Sequence, residues 1–443
     1  MSVTQRGLRP SLRSNFYWTF AGTAIYAICQ WGMLSVLSKL RSPTDVGIFV
    51  YGLAVATPTY VLAQLQLRSI QATDVTQRFS FCTYLTVRII CVVIASVVIL
   101  AIVFFTHPDR ITMWTCLFFA GGRAAESVSD ILYGAMQLNE QMRTQAASMC
   151  LKGLVSLALL VIALQTWHSV AGAALGIMIA WTAVLVAYDI PSTARMFRSL
   201  HRGGIRPRTV SIRRAWSVGE IKPLLRDALP MGLVMFLLSL NANIPRYVLK
   251  AETDMKTLGI YAALSYIQVG GMVVVSALGQ AAAPKLARLY QFGDMDSFLV
   301  LLKKLVGVGG TLGALGVLGV SVCGNMALTL LYKAEYARFQ REFVVMSIGS
   351  GLMYVTCVLG CGMTSMRCYY QQLVTIGSST VVLMACCTWL VPRYGLLGAA
   401  DASLVSSGVM AVLSGIAVLA EMRRKSKVAV SVAIPIARTV EVQ

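Results

Sequence analysis

Residues 84–106 read YLTVRIICVVIASVVILAIVFFT, an apolar run whose one charge is Arg88. A hydrocarbon layer about 30 Å thick is crossed by roughly 20 helical residues, each rising ~1.5 Å, so this stretch is long enough to span a bilayer. Blocks of the same character lie on both sides of it, at 15–38, 46–67, 112–135, 145–166, 169–190, 228–249, 258–281, 305–327, 342–363, 373–391 and 395–420. Across the 443 residues 57% are hydrophobic and 13% charged, where soluble domains carry roughly 25% charge. No soluble fold hides that much apolar surface, and helices that close their own backbone hydrogen bonds are stable in lipid. The expected fold class is all-α, a polytopic membrane protein of about twelve transmembrane helices.

Orientation follows from the distribution of Lys and Arg, which accumulate on the cytoplasmic side of membrane proteins. With the amino terminus inside, 25 of them fall in inner segments and 10 in outer loops. Both termini are therefore expected in the cytoplasm. The apolar run after Arg6, Arg9 and Arg13 continues to about Leu40, well past the 7–15 residues of a cleavable signal core, so the first helix is expected to stay as an anchor. The same distribution accounts for the net charge of +20: an inner face that meets anionic membrane lipids explains it without nucleic acid as a partner. The most basic segment, 191–227, carries Arg195, Arg198, Arg202, Arg206, Arg208, Arg213 and Arg214 with Gly203, Gly204 and Pro207, and reads as a cytoplasmic linker.

Catalytic and metal-binding patterns are absent from the sequence. The eleven cysteines fall in or beside spans or on the inner side, and the three histidines, His107, His168 and His201, are scattered over separate loops. Cys357 and Cys361 stand one helical turn apart with no further ligand near them in sequence, a pattern that suits packing better than metal binding. No phosphate-cradling Gly-x-x-x-x-Gly-Lys-Ser/Thr loop occurs, and the outer loops are too short for an outer catalytic domain. No cofactor, no metal and no enzymatic activity are expected.

The two halves of the chain resemble each other. Val46-Gly47-Ile48-Phe49 opens the second span and Leu258-Gly259-Ile260-Tyr261 the eighth; Val170-Ala171-Gly172-Ala173-Ala174 precedes the sixth and Leu396-Leu397-Gly398-Ala399-Ala400 the twelfth. The expected organisation is an amino-terminal six-helix lobe over 1–190, the basic linker over 191–227, a carboxy-terminal six-helix lobe over 228–421 and a cytoplasmic tail over 422–443. Six spans per copy keep both copies in one orientation, so a pseudo-twofold axis runs along the membrane normal. Two such lobes around a central cavity suit alternating access.

Three stretches carry a family resemblance: Gln64-Leu65-Gln66-Leu67-Arg68; Asn243-Ile244-Pro245-Arg246-Tyr247, leading to Leu258-Gly259-Ile260-Tyr261; and Leu331-Tyr332-Lys333-Ala334-Glu335-Tyr336. Together they resemble the oligosaccharide (O-antigen type) flippases of the multidrug/oligosaccharidyl-lipid/polysaccharide exporter superfamily, over most of residues 14–421. The resemblance implies a bacterial inner-membrane protein that moves an undecaprenyl-pyrophosphate-linked oligosaccharide from the cytoplasmic to the periplasmic leaflet for surface polysaccharide, in contact with polysaccharide assembly machinery. The first span lacks the carboxylate on which cation-coupled drug extruders of the superfamily rely. After Glu421, Val428 to Ala437 with Pro435 is too short to span, so the additional helices of lipid II flippases are not expected. A cation-coupled multidrug exporter and a membrane-embedded polysaccharide polymerase or ligase remain the alternatives.

A diphosphate and its sugars cross hydrocarbon only where charges and hydroxyls find partners, because desolvating them otherwise costs many kcal/mol. Arginine is the expected phosphate ligand, since its planar fork matches phosphate oxygens and stays protonated. In the fourth span Arg123, Glu126 and Asp130 share one helical face, and Arg123, held by the two carboxylates, is the first candidate to meet the diphosphate. A self-neutralising Arg123–Glu126 pair that only fixes packing is the competing reading. Asn241, Asn243 and Arg246 in the seventh span are further candidates, with Arg246 equally placed to snorkel to the outer interface. Arg68 and Arg88, with Lys152, stand near inner helix ends, where anchoring to lipid phosphate competes with substrate capture. Asp401 in the twelfth span is a weaker candidate.

In a cysteine-free background, single cysteines introduced at 196–210 are expected to react with impermeant thiol reagents only from the cytoplasm, and those at Lys333 to Arg338 only from outside. The reverse accessibility would invert the topology.

Overall fold

Polar caps punctuate the chain between its apolar blocks. Ser42, Ser80, Asp109, Ser169, Asp254 and Asp294 each accept a hydrogen bond from the backbone N–H three residues on, satisfying one of the donors that every helix start leaves open. The hydroxyl and N–H of Thr257 hold the exposed Asp254 carboxyl below the usual carboxylate range. In the computed structural model, which describes residues 12–74, 76–202 and 218–440, the helices are α1 (Leu12–Leu40), α2 (Pro43–Gln64), α3 (Leu67–Thr73), α4 (Phe81–Thr106), α5 (Arg110–Leu138), α6 (Met142–Thr166), α7 (Val170–Val184), α8 (Ile190–Arg202), α9 (Val218–Glu252), α10 (Met255–Phe292), α11 (Met295–Leu331), α12 (Gln340–Ser365) and α13 (Tyr369–Val440). No strand occurs among the described residues.

Nine described helices are long and apolar enough to cross a membrane, or ten if the bent α10 is one span. The twelve expected from hydropathy require two further assignments. One is α5, which carries Arg123, Glu126 and Asp130. The other is the run 369–424 counted twice, since it bends at Gly395, where φ is +55°. Their outer faces suit lipid. Along α4, Val93, Ile94, Val97, Leu100 and Phe104 are exposed while Tyr84, Arg88, Ala95 and Ile99 are buried.

The structure refines two boundaries. The second span ends in a break, because Leu65 and Gln66 both adopt left-handed backbone (φ 48° and 52°) before α3 resumes. The segment expected as an irregular linker from 191 begins as helix. A π-turn over Leu185–Asp189 precedes α8, where Pro191 has no N–H to continue the ladder. In α8 Met196, Phe197 and Leu200 face the protein and Arg195, Arg198 and Arg202 the outside, an amphipathic pattern of helical period. Arg206, Arg208, Arg213 and Arg214 lie outside the described residues.

Contacts divide the chain into two compact units, Met1–Asn243 and Ile244–Gln443, the boundary falling within α9. In the first, α5 is the hub, packed on α2, α3, α4, α6, α7 and α8. In the second, α12 packs on α10, α11 and α13. The fourth span of each expected repeat is thus the central one.

Small residues bring the hubs' neighbours close. A Cβ on Gly313 of α11 would lie 2.6 Å from the Cα of Gly351 in α12, whereas one on Gly316 would meet nothing within 4 Å. Gly309 and Gly313 repeat the four-residue spacing that lets membrane helices approach. Gly313→Leu is expected to cost about 1–3 kcal/mol by overpacking, read as a lower unfolding midpoint in detergent. Gly316→Leu should leave the midpoint unchanged, and equal effects at both sites would refute the close contact.

Candidate functional site

The hub helix α5 is also where the charges collect. Residues 123, 126, 130, 133 and 137 recur at intervals of three and four and so line one face. Their partners come from α1, α2, α3, α4, α6 and α7.

At the first position, Arg123 Nη1 lies 2.5 Å from Glu126 Oε2, and Arg123 Nη2 donates to Thr57 Oγ1 of α2 at 3.2 Å. The hydroxyl of Tyr26 in α1 donates to the other Glu126 oxygen at 2.9 Å, and the Arg123 guanidinium stacks over Trp181 of α7. Of the two carboxylates expected to hold Arg123, Glu126 therefore does so. Asp130 instead engages Arg68 of α3 (Nη1–Oδ1 3.3 Å) and Arg88 of α4 (Nη2–Oδ2 2.9 Å). Arg68 also donates from Nε to Gln137 at 3.2 Å and lies over the Tyr133 ring.

The break after α2 explains how Arg68 reaches this place. Two consecutive left-handed residues other than glycine cost about 1 kcal/mol or more each. Gln66 accepts from Ser69, and Gln64 donates to Ser127 of α5. The turned chain then lies against Gly134, where a Cβ would come within 3.3 Å of the Arg68 Cα. The motif Gln64 to Arg68 is thus the device that lays an arginine along α5.

A second ionic group was not foreseen. Lys152 of α6 sits 2.9 Å from Asp189 Oδ2, an ion pair outside hydrogen-bond angles, and both side chains are buried, 2% and 0% exposed. Ser148 donates to the other Asp189 oxygen, and the Tyr133 hydroxyl joins Ser148 and Lys152 at 2.6 and 3.0 Å. Hydropathy alone hides Asp189, which falls at the end of an apolar block. The one sequence signal was the charge itself, inside a span, one helical turn or so before a basic segment.

Asn241, Asn243 and Arg246 lie on α9, across the boundary between the two units. Asn243 is buried and donates to the Ser239 carbonyl at 2.7 Å, and Arg246 lies 6.0 Å from the Tyr266 ring centroid. A recess lined by Gln71, Asp74, Phe79, Tyr84, Asn139 and Phe197 at the end of α5 contains none of the four cations. No cluster of three or more metal-ligating side chains occurs among the described residues.

The cluster on α5 can hold an anion. Arg68, Arg88, Arg123 and Lys152 face Glu126, Asp130 and Asp189, four cations to three carboxylates. Lys152→Met alone should destabilise the protein by about 3–5 kcal/mol, because it strands a buried carboxylate, while Lys152→Met/Asp189→Leu should recover most of that loss. Thermal unfolding in detergent reads both, and a double variant no better than the single one would show that the pair is not self-contained.

Comparison with known proteins identifies the fold and the family. A capsular polysaccharide biosynthesis protein, CapF of Staphylococcus aureus, is 25% identical over 401 residues, covering 89% of this chain and 96% of the relative. Among solved structures, an inward-facing multidrug resistance MATE family transporter of the MOP superfamily matches with a TM-score of 0.74 at 13% identity, over 92% of this chain and 99% of the other. The lipid II flippase MurJ in an inward closed conformation matches with a TM-score of 0.70 at 9% identity, over 96% and 93%. At those identities the structural likeness establishes the fold alone, the one seen in these two transporters. The profile of the polysaccharide biosynthesis protein family matches residues 12–290, more than half of the chain, and the protein belongs to that family.

Proposed function

We propose that the protein is an alternating-access flippase, moving an undecaprenyl-pyrophosphate-linked oligosaccharide from the cytoplasmic to the periplasmic leaflet of a bacterial inner membrane. In this reading 1–190 and 228–421 are its two lobes, the termini are cytoplasmic, and polysaccharide assembly machinery receives its product. The observation that carries it is the excess positive charge on α5 and its neighbours, within helices whose outer faces are apolar. Even on lenient scales a charge at mid-membrane costs about 2.5–3.5 kcal/mol, so an uncompensated cation there needs an anionic visitor. Family membership supplies the context of polysaccharide synthesis, and a lipid-linked diphosphate is the anion that this context offers.

The likeness to multidrug transporters is one of fold alone. A site for cationic drugs requires surplus carboxylate, and the surplus here is of the opposite sign. Asn241, Asn243 and Arg246 on α9 are proposed to contribute amide and guanidinium donors to the glycan.

Transfer of about two negative charges out of an inside-negative cytoplasm is favoured by ~2.3 kcal/mol per charge per 100 mV. Proteoliposomes holding the purified chain and an undecaprenyl-diphosphate oligosaccharide should therefore flip it, faster with the cytoplasmic side negative. Absence of flipping, or rates indifferent to an imposed potential, would overturn the reading.

A further inference from the structure

The surplus charge can be located. Arg123 and Glu126 pair one to one, as do Lys152 and Asp189, whereas Arg68 and Arg88 share the single carboxylate of Asp130. The extra cation therefore belongs to the Arg68–Asp130–Arg88 triad. The three members are not equivalent. Arg88 is fully buried, holds Asp130 at 2.9 Å, and has its Nε and Nη1 without hydrogen-bond partners. Arg68 is 28% exposed and holds Asp130 through one 3.3 Å contact, with Nε on Gln137.

We infer that Asp130 is a built-in stand-in for a diphosphate: the anion displaces its carboxylate from Arg68, and Arg88 keeps Asp130 neutralised when Arg68 turns to the visitor. The inference rests on the flippase reading for the identity of the lipid-linked anion, and names Arg68 as the ligand and Arg88 as a positioning residue that never needs to touch it. In neither state is a charged group left without an opposite charge beside it, and the one net positive charge of the empty triad is what the anion neutralises. With the site empty, Arg68 and Arg88 share Asp130. With it filled, Arg88–Asp130 and Arg68–phosphate are separate, compensated pairs. Arg68 is suited to this exchange because its planar fork offers two parallel donors to phosphate oxygens and gives up one long contact. The Tyr133 ring beneath it, tied through its hydroxyl to Lys152 and Ser148, limits where the guanidinium can swing.

The consequence is a non-additive pattern that a passive basic patch does not produce. Binding of inorganic pyrophosphate to the purified protein in phosphatidylcholine nanodiscs, followed by calorimetry, is the readout. Arg68→Gln should weaken binding at least tenfold with an unchanged melting midpoint. Arg88→Gln should also weaken it at least tenfold, because Asp130 is then pinned to Arg68, although residue 88 is out of reach of any ligand. Arg88→Gln/Asp130→Asn removes the buried pair together, so it should fold, and it should restore binding to the wild-type level or beyond because Arg68 has lost its competitor. A double variant no better than Arg88→Gln, or an Arg68→Gln variant within twofold of wild type, would overturn the inference. Phosphatidylglycerol in the nanodiscs separates the sources of phosphate: abolition of pyrophosphate binding by it would make the triad a lipid headgroup anchor and likewise overturn the inference, while binding that persists supports it. Restored pyrophosphate binding in a protein that flips no polyprenyl-linked oligosaccharide would leave the triad's role standing and remove the flippase reading. Normal flipping by Arg68→Gln would do the opposite.

Discussion

The constraint on which this molecule turns is the cost of a charge in hydrocarbon. Arg88 sits fully buried on a helix whose other face is entirely apolar, and only the Asp130 carboxylate 2.9 Å away makes that position tolerable. From this one pair much of the amino-terminal unit follows. Asp130 lies on α5, the helix on which α2, α3, α4, α6, α7 and α8 pack. The hub has to be slender where its neighbours cross, and Gly122 and Gly134 let Trp181 and the Arg68 backbone approach. Removing Asp130 alone would leave Arg88 buried with no counter-ion, which is far more costly than losing the pair together, whereas without Arg88 the carboxylate still has Arg68.

What was legible in the sequence was whatever is local. Apolar blocks gave the helices, and the three-and-four spacing of Arg123, Glu126 and Asp130 gave one charged face. The partners of that face were not legible, because Arg68 and Arg88 stand 62 and 42 residues from Asp130, and nothing in a single sequence couples positions so far apart. The Arg123 pairing was half right for the same reason: Glu126, three residues on, was in reach of helical geometry, whereas the choice of Arg68 and Arg88 for Asp130 depends on how α3 and α4 pack.

Irregular backbone was the other hidden element. Hydropathy runs smoothly through Leu65 and Gln66, two residues that carry no turn signal, yet their left-handed conformation redirects the chain. Asp189 was masked in a similar way. It closes an apolar block, and the π-turn of Leu185–Asp189 ends beside Pro191, whose missing N–H is a local cause readable only after the helix is seen to continue into α8. The helix over 190–202 was hidden because basic residues dominate the composition of that segment, although Met196, Phe197 and Leu200 repeat with a helical period.

The two compact units place their charge differently. Both hubs are central to their own unit, but α5 carries Arg123, Glu126 and Asp130 along its length, whereas the charges of α12 are Arg341 and Glu342 in its first turn. Beyond that turn α12 offers Gly349, Gly351 and Tyr354 to its neighbours, residues suited to close approach. Under the same membrane constraint one hub is thus an ion-compensating helix and the other a packing helix. Replacing buried ion pairs by apolar packing of the kind α12 shows is often neutral or stabilising, so the charges on α5 are weak evidence of structural support. The asymmetry on which the proposed exchange with an anion rests is this one: four cations face three carboxylates around α5, while α12 carries no charge beyond its first turn.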